Sequence, residues 1–205
     1  MPATKKSGPA AREQGSARRD QLLAVAARLI ASRGYSATTV RDIADEAGIL
    51  SGSLYHHFSS KEAILDEILR PFLGGLRQRS ELIAAAGGGA RCVFDELVRT
   101  AFTTIEAQPD AVALYQNEAA FLTTLPGFEY VAQDSMRIEE IWLTVIREGQ
   151  REGVFRADLD AAMAYRFIRD SVWSAVHWFS PDGLRSADAV AGQFLGLIHS
   201  GLLQD

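Results

Sequence analysis

Residues 39–61 read TVRDIADEAGILSGSLYHHFSSK. Ser51, Ser53, Tyr55, His56 and His57 crowd hydroxyl, phenol and imidazole groups into one short segment. Four chemistries are open to such a group. A hydrolase nucleophile would sit in a Gly-x-Ser-x-Gly elbow, and none surrounds Ser51 or Ser53. A metal site would need histidines on one helix face. His56 and His57 are adjacent, so they point about 100° apart, and only His177 and His199 remain in the chain; no metal and no cofactor is expected. An ordinary core would take Tyr55 as a packed aromatic. The fourth is contact with a nucleic acid, where short hydroxylic side chains and a phenol reach phosphates and base edges.

The flanking residues predict what holds this segment. Leu22, Val25, Ala26, Leu29 and Ile30 repeat at helical spacing and predict a helix over Arg18–Arg33. Thr39, with Asp42 three residues on, predicts the start of a helix over Val40–Ala47. Gly48 predicts its left-handed end. Ser51 is expected to cap a short helix over Ser51–Phe58, with Leu54 and Phe58 turned inward. Ser59 and Glu62 form a capping-box pattern for a long fourth helix. Two short helices around a glycine turn, braced by a third, make a helix-turn-helix. Gly52 lacks a side chain, so the backbone there can approach another surface closely.

Charge divides the same way. Residues 1–61 carry nine Lys/Arg against five Asp/Glu, a net of +4, and residues 62–205 carry 12 against 21, a net of −9. A basic head suits a polyanion and an acidic body is repelled by one; composition alone also allows solvated charge on helix faces. The opening MPATKKSGPAAREQGS has no apolar block of the secretory kind and is expected to be a disordered basic tail. No apolar run is long enough to span a bilayer, so no membrane partner is expected. Cys92 is the only cysteine, which suits a reducing cytoplasm, and it is expected to be an inert core residue.

The rest reads helical, with breaks at Gly87-Gly88-Gly89, Gln108-Pro109, Leu125-Pro126-Gly127, Glu152-Gly153 and Ser180-Pro181-Asp182-Gly183. The expected fold class is all-α with about nine helices: a tail over 1–16, a helix-turn-helix domain over 17–63 and a helical body over 64–205. The glycine triplet lacks a following Lys-Ser/Thr and reads as a connector, not a phosphate loop. A helix predicted over Asp160–Phe179 places Tyr165, Arg169, Trp173 and His177 at four-residue intervals. A cation one turn from an indole can hold an anionic, partly aromatic ligand; taken alone, the stripe more readily reads as a salt bridge at Arg169 with Trp173 in the core or a dimer interface. Tyr115, Gln116, Phe121 and Trp142 are further candidates for an apolar slot with few polar groups. Val190, Phe194, Leu197, Ile198 and Leu202 make the terminal helix broadly apolar, as packing across a two-fold axis requires.

Gly34-Tyr35, Thr38–Ala44, Ala47-Gly48, Gly52–Phe58 and Lys61-Glu62 together resemble the TetR family of one-component transcriptional repressors. The resemblance is dense over residues 18–65. It implies roles in DNA binding for Thr39, Ser51, Ser53, Tyr55, His56 and Lys61, with Arg18 and Gly52 completing the candidate surface. It also implies a homodimer through the last two helices, here involving Val176, Phe194, Leu197 and Ile198, and an effector cavity in the body. The runs ALYQNEAAFL, GVFRADLD and AYRFIRDSVWSAVHWF further resemble TetR-type repressors of late sterol-ring degradation in actinobacteria. That resemblance implies operator DNA and a steroid-derived coenzyme A thioester as partners, and favours ligand contact at Arg169 and Trp173; Tyr115, Gln116, Phe121 and Trp142 join them as candidates, with plain core as the alternative. A regulator of another pathway with a different apolar effector, an activator, and a carrier or enzyme with a helical head are the alternatives. No catalytic constellation supports an enzyme.

Overall fold

The computed structural model describes residues 9–180, 183 and 185–202, with side chains from Gly15 onward. Among them stand nine α-helices and no strand. They are α1 (Pro9–Arg33), α2 (Val40–Glu46), α3 (Ser51–His57), α4 (Lys61–Ala86), α5 (Ala90–Ala107), α6 (Pro109–Leu122), α7 (Glu129–Arg151), α8 (Ala161–Trp173) and α9 (Ala187–Leu202). Two compact units divide at Ile68/Leu69, inside α4.

In the first unit, α1 starts well before the expected Arg18. Pro9 suits the first helical position, and Ala10, Ala11, Arg12, Glu13 and Gln14 are good helix formers. The expected tail therefore contracts; its residues 1–8 lie outside the described residues. Leu22, Ala26, Leu29 and Ile30 are buried along α1, and Tyr35, Ile43, Ala44, Leu54 and Phe58 are buried in the same unit. Gly34 ends α1 at φ 87° and Gly48 ends α2 at φ 66°, a region that costs other residues strain. Thr39 caps α2 reciprocally with Asp42.

Two caps differ from expectation. Leu50, not Ser51, is the N-cap of α3, and no side chain caps that helix. The Ser53 and Leu54 amides both donate to the Leu50 carbonyl, so the first turn closes one residue early. At α4 the cap is Ser60, whose Oγ accepts from the Ala63 amide at 3.1 Å. Glu62 is then free of the expected box and accepts from the Tyr35 hydroxyl at 2.8 Å.

In the second unit, α5 is the central element. Val93, Phe94, Leu97, Val98, Ala101, Phe102 and Ile105 are buried on it, and α6, α7, α8 and α9 all pack against it. Phe94 meets Trp142 and Phe155 edge-on at 5.6 and 5.4 Å between centroids. Polar straps hold α9 to α5: His199 pairs with Asp95 at 2.8 Å, and the Ala187 amide donates to Glu106 at 3.0 Å. Cys92 is exposed in the first turn of α5, which corrects its expected place in the core. Its neighbours Ala90 and Val93 turn inward and take the buried positions of that turn.

Candidate nucleic-acid interface and effector cavity

Helix α3 is divided cleanly. Leu54 and Phe58 are buried, while Gly52, Tyr55 and His56 are exposed and Ser51 and Ser53 are half-buried. Tyr55 is 56% exposed. Space beside Gly52 is open to 4 Å, so backbone and phenol both stand clear of the fold. Thr39 is exposed at the start of α2. Its side-chain and backbone donors both reach Asp42, and these bonds, the side-chain one first, hold the Asp42 carboxyl below the usual range.

Lys61 and Arg18 are engaged in bracing. The Lys61 ammonium donates to the Tyr35 and Thr38 carbonyls, both at 2.8 Å, and lies 3.9 Å from the Tyr35 ring centroid. Two of its three hydrogens thus pin the α1–α2 turn. Arg18 donates to Gln21 and, at 3.3 Å, to the Ala47 carbonyl at the end of α2. Burial first, then Glu62, pushes the Tyr35 phenol up, so it stays a neutral donor.

Arg19 is a residue that sequence reasoning missed. It donates to the His57 carbonyl at the end of α3, pairs through both ends of its fork with Glu67, and lies 4.3 Å over the Phe58 ring. One guanidinium therefore joins α1 to the end of α3 and to α4. Its only sequence signal was a second arginine beside Arg18; the partners lie 38 and 48 residues away.

In the second unit, a cavity of about 320 Å³ opens between α4, α6, α7 and α8. Phe72, Leu73 and Leu76 supply an apolar wall; Tyr115, Gln116, Tyr165, Arg169 and Trp173 supply polar and aromatic groups, and Ser135, Glu139 and Asp170 also line the cavity. Ser135 spends its proton on the Val131 carbonyl, so the Tyr115 hydroxyl donates to Ser135, at 2.6 Å. Burial pushes the Tyr165 phenol up to about 12 despite Arg169 beside it, so it is neutral. Arg169 pairs with Asp170 at 2.8 Å and its guanidinium lies 5.5 Å from the Tyr165 ring centroid. The salt bridge and the cavity lining thus coexist at Arg169.

Three expected members stand elsewhere. Phe121 is half-buried near the end of α6, away from the lining residues Tyr115 and Gln116. Trp142 is core against Phe94 and borders a void of about 20 Å³ beside Tyr165 and Trp173. His177 leaves the stripe because α8 ends at Trp173 and a 3₁₀ turn, Ser174–His177, follows. The tighter turn rotates the next residues away from the α-helical register; His177 is exposed. A second cavity, about 450 Å³, lies beside α7 and the start of α5. Glu140, Glu148 and Glu152 line it with one arginine, Arg137, already paired with Glu81 and Glu140. It contains none of the expected residues.

Of the expected dimer residues, Leu197 is 73% exposed, and Val176, Phe194 and Ile198 are half-buried. Phe194 leans on Phe102 at 5.7 Å between centroids. Phe167 and Trp178 are also large, apolar and exposed. Among the described residues no helix is long and apolar enough to cross a membrane.

Known proteins share this arrangement. Residues 22–68 match the model of bacterial regulatory proteins of the tetR family, and residues 90–202 match the tetracyclin repressor-like C-terminal domain. The chain is 47% identical over 187 residues to the HTH-type transcriptional repressor KstR2 of Rhodococcus jostii, covering 91% of this chain and 92% of that protein. Its fold is similar to the structure of the ketosteroid transcriptional regulator KstR2 of Mycobacterium tuberculosis, with a TM-score of 0.88, 43% identity, and 92% and 96% of the two chains covered. The TetR-family regulator PfmR of Thermus thermophilus follows with a TM-score of 0.74, 31% identity, and 89% and 98% covered. These relatives are DNA-binding regulators rather than enzymes. With helix-turn-helix and C-terminal body both matched, this chain belongs to the TetR family of transcriptional repressors.

Proposed function

We propose that this protein is a cytoplasmic, dimeric repressor of steroid-degradation genes, released from its operator by a steroid-derived coenzyme A thioester. The observation that carries the reading is the convergence of Tyr115, Gln116, Arg169 and Trp173 on one cavity, in a chain 47% identical to a KstR2 repressor. A volume of about 320 Å³ is at the small end of ligand sites. It admits a compact ring system or the thioester end, and leaves the nucleotide arm outside. Arg169, 39% exposed, and Trp173, half-buried, line the cavity and also reach solvent, so where the arm leaves the cavity they offer charge for phosphate and a flat surface for adenine or the arm. On the DNA side, Gly52, Ser53, Tyr55 and His56 present the recognition face, Thr39 and Ser51 flank it, and Arg18 and Lys61 hold the elements behind it. Two copies joined through Phe194, Leu197, Ile198 and Val176 bring two such faces to a pseudo-palindrome. Release needs only that the effector favour a shape with weaker operator affinity.

The test is a titration of operator release by a steroid-derived acyl-CoA, its free acid and coenzyme A alone. Arg169→Met and Trp173→Leu should stay folded, still bind operator, and need about tenfold or more ligand for release, the loss expected for a charge-assisted contact at Arg169 and a lost aromatic surface at Trp173. Equal release of wild type and both variants would remove these residues from the site. Release by the free acid as readily as by the thioester would remove the coenzyme A arm.

A further inference from the structure

Phosphate positioning leaves one prominent side chain beside α3 without a task. Leu50 is 80% exposed, the most exposed large apolar side chain among the described residues. It occupies the N-cap position of α3 yet makes no capping bond, where Ser, Thr, Asp or Asn would stabilise the helix. Its backbone is fixed: the Leu50 carbonyl accepts from the Ser53 amide at 2.8 Å and the Leu54 amide at 3.3 Å. The Cα–Cβ bond of Leu50 is therefore fixed at the helix start, two residues before Gly52, beside which space is open to 4 Å.

A leucine has no donor, acceptor or charge. It gains nothing from a phosphate oxygen, and against a major-groove floor the only apolar group it can meet is the thymine 5-methyl. Residues near the start of a recognition helix are the ones that reach base edges. We propose that Leu50 is a specificity-determining residue that reads a thymine methyl in each operator half-site. This rests on the DNA-reading role proposed for α3.

The probe is the duplex that the full-length wild-type protein enriches from a random-sequence pool. Each symmetry-related pair of thymines is replaced by deoxyuridine, which removes only the methyl groups. Affinities are then measured for wild type, Leu50→Ala and Leu50→Ser, with thermal melts confirming that both variants fold. One thymine pair should stand out. Its replacement should weaken wild type about fourfold per methyl, about fifteenfold for the pair, the loss expected for one buried methyl each. Both variants should be indifferent to it. Uracil replacement that weakens all three proteins equally, or none of them, overturns the Leu50 assignment while leaving operator recognition intact. A wild type that enriches no duplex overturns operator recognition itself.

Discussion

Lys61→Met separates bracing from phosphate contact. The substitution keeps a long apolar stem and removes the ammonium. In the structure that ammonium makes two 2.8 Å bonds to turn carbonyls and sits over the Tyr35 ring. A charge-assisted bond contributes about 1.5–3 kcal/mol when well buried; half exposure lowers this to about 1 kcal/mol each. With a small cation–π share of about 0.5 kcal/mol, and water replacing part of what is lost, the total is about 2 kcal/mol. The turn should then open about 30-fold more often. Amide exchange reads this directly at Thr38, whose amide donates to the same Tyr35 carbonyl at 3.2 Å. Operator affinity should fall, since the α1–α2 turn sets where α2 and α3 begin. The salt dependence should not change. A lost phosphate contact would instead flatten the slope of log K against log salt by about 0.9 per protomer. A flattened slope with unaltered Thr38 exchange would refute the bracing role and return Lys61 to the phosphate backbone.

Three further outcomes follow from single contacts. Gly149 faces the Phe155 ring so closely that a Cβ would overlap it, and Phe155 is fully buried; Gly149→Ala should cost about 1–3 kcal/mol and lower the calorimetric melting temperature by several degrees, and an unchanged midpoint would contradict the packing. Asp42 has a carboxyl held low by Thr39, so its contribution is complete above the ordinary aspartate range and is lost as pH falls through the depressed value; exchange protection at the start of α2 should drop across that acid window in wild type and show no such step in Asp42→Asn. Leu197 is exposed and apolar on α9, so Leu197→Glu should yield monomers with weak operator binding by sedimentation, whereas a wild type that is monomeric at micromolar concentration and fully operator-competent would sink the two-fold model.

Much of the DNA-binding unit was legible in the residues themselves. Thr39 with Asp42, Gly48 at a left-handed turn, and Leu54 with Phe58 facing inward all follow from interactions within four residues. Such contacts carry their geometry in the spacing. What failed was decided across the fold. The caps are a local exception: Leu50 took the cap expected at Ser51 because its carbonyl accepts from both the Ser53 and Leu54 amides, which starts the helix one residue early. Trp142 and Tyr165 both sit on helices, yet one packs on Phe94 and the other lines the cavity between α4, α6, α7 and α8; periodicity assigns a face, and only the neighbouring helix decides whether that face meets core or space. The Tyr165–Arg169–Trp173 stripe survived while His177 left it, because α8 tightens into a 3₁₀ turn after Trp173. Arg19 had no local sign of its role, since Glu67 and the His57 carbonyl reach it only once α1, α3 and α4 have folded together. Most bonds within a few residues were set by the sequence alone, the caps of α3 and α4 excepted, and the fate of each side chain that looked past its own helix was set by what the tertiary structure placed opposite it.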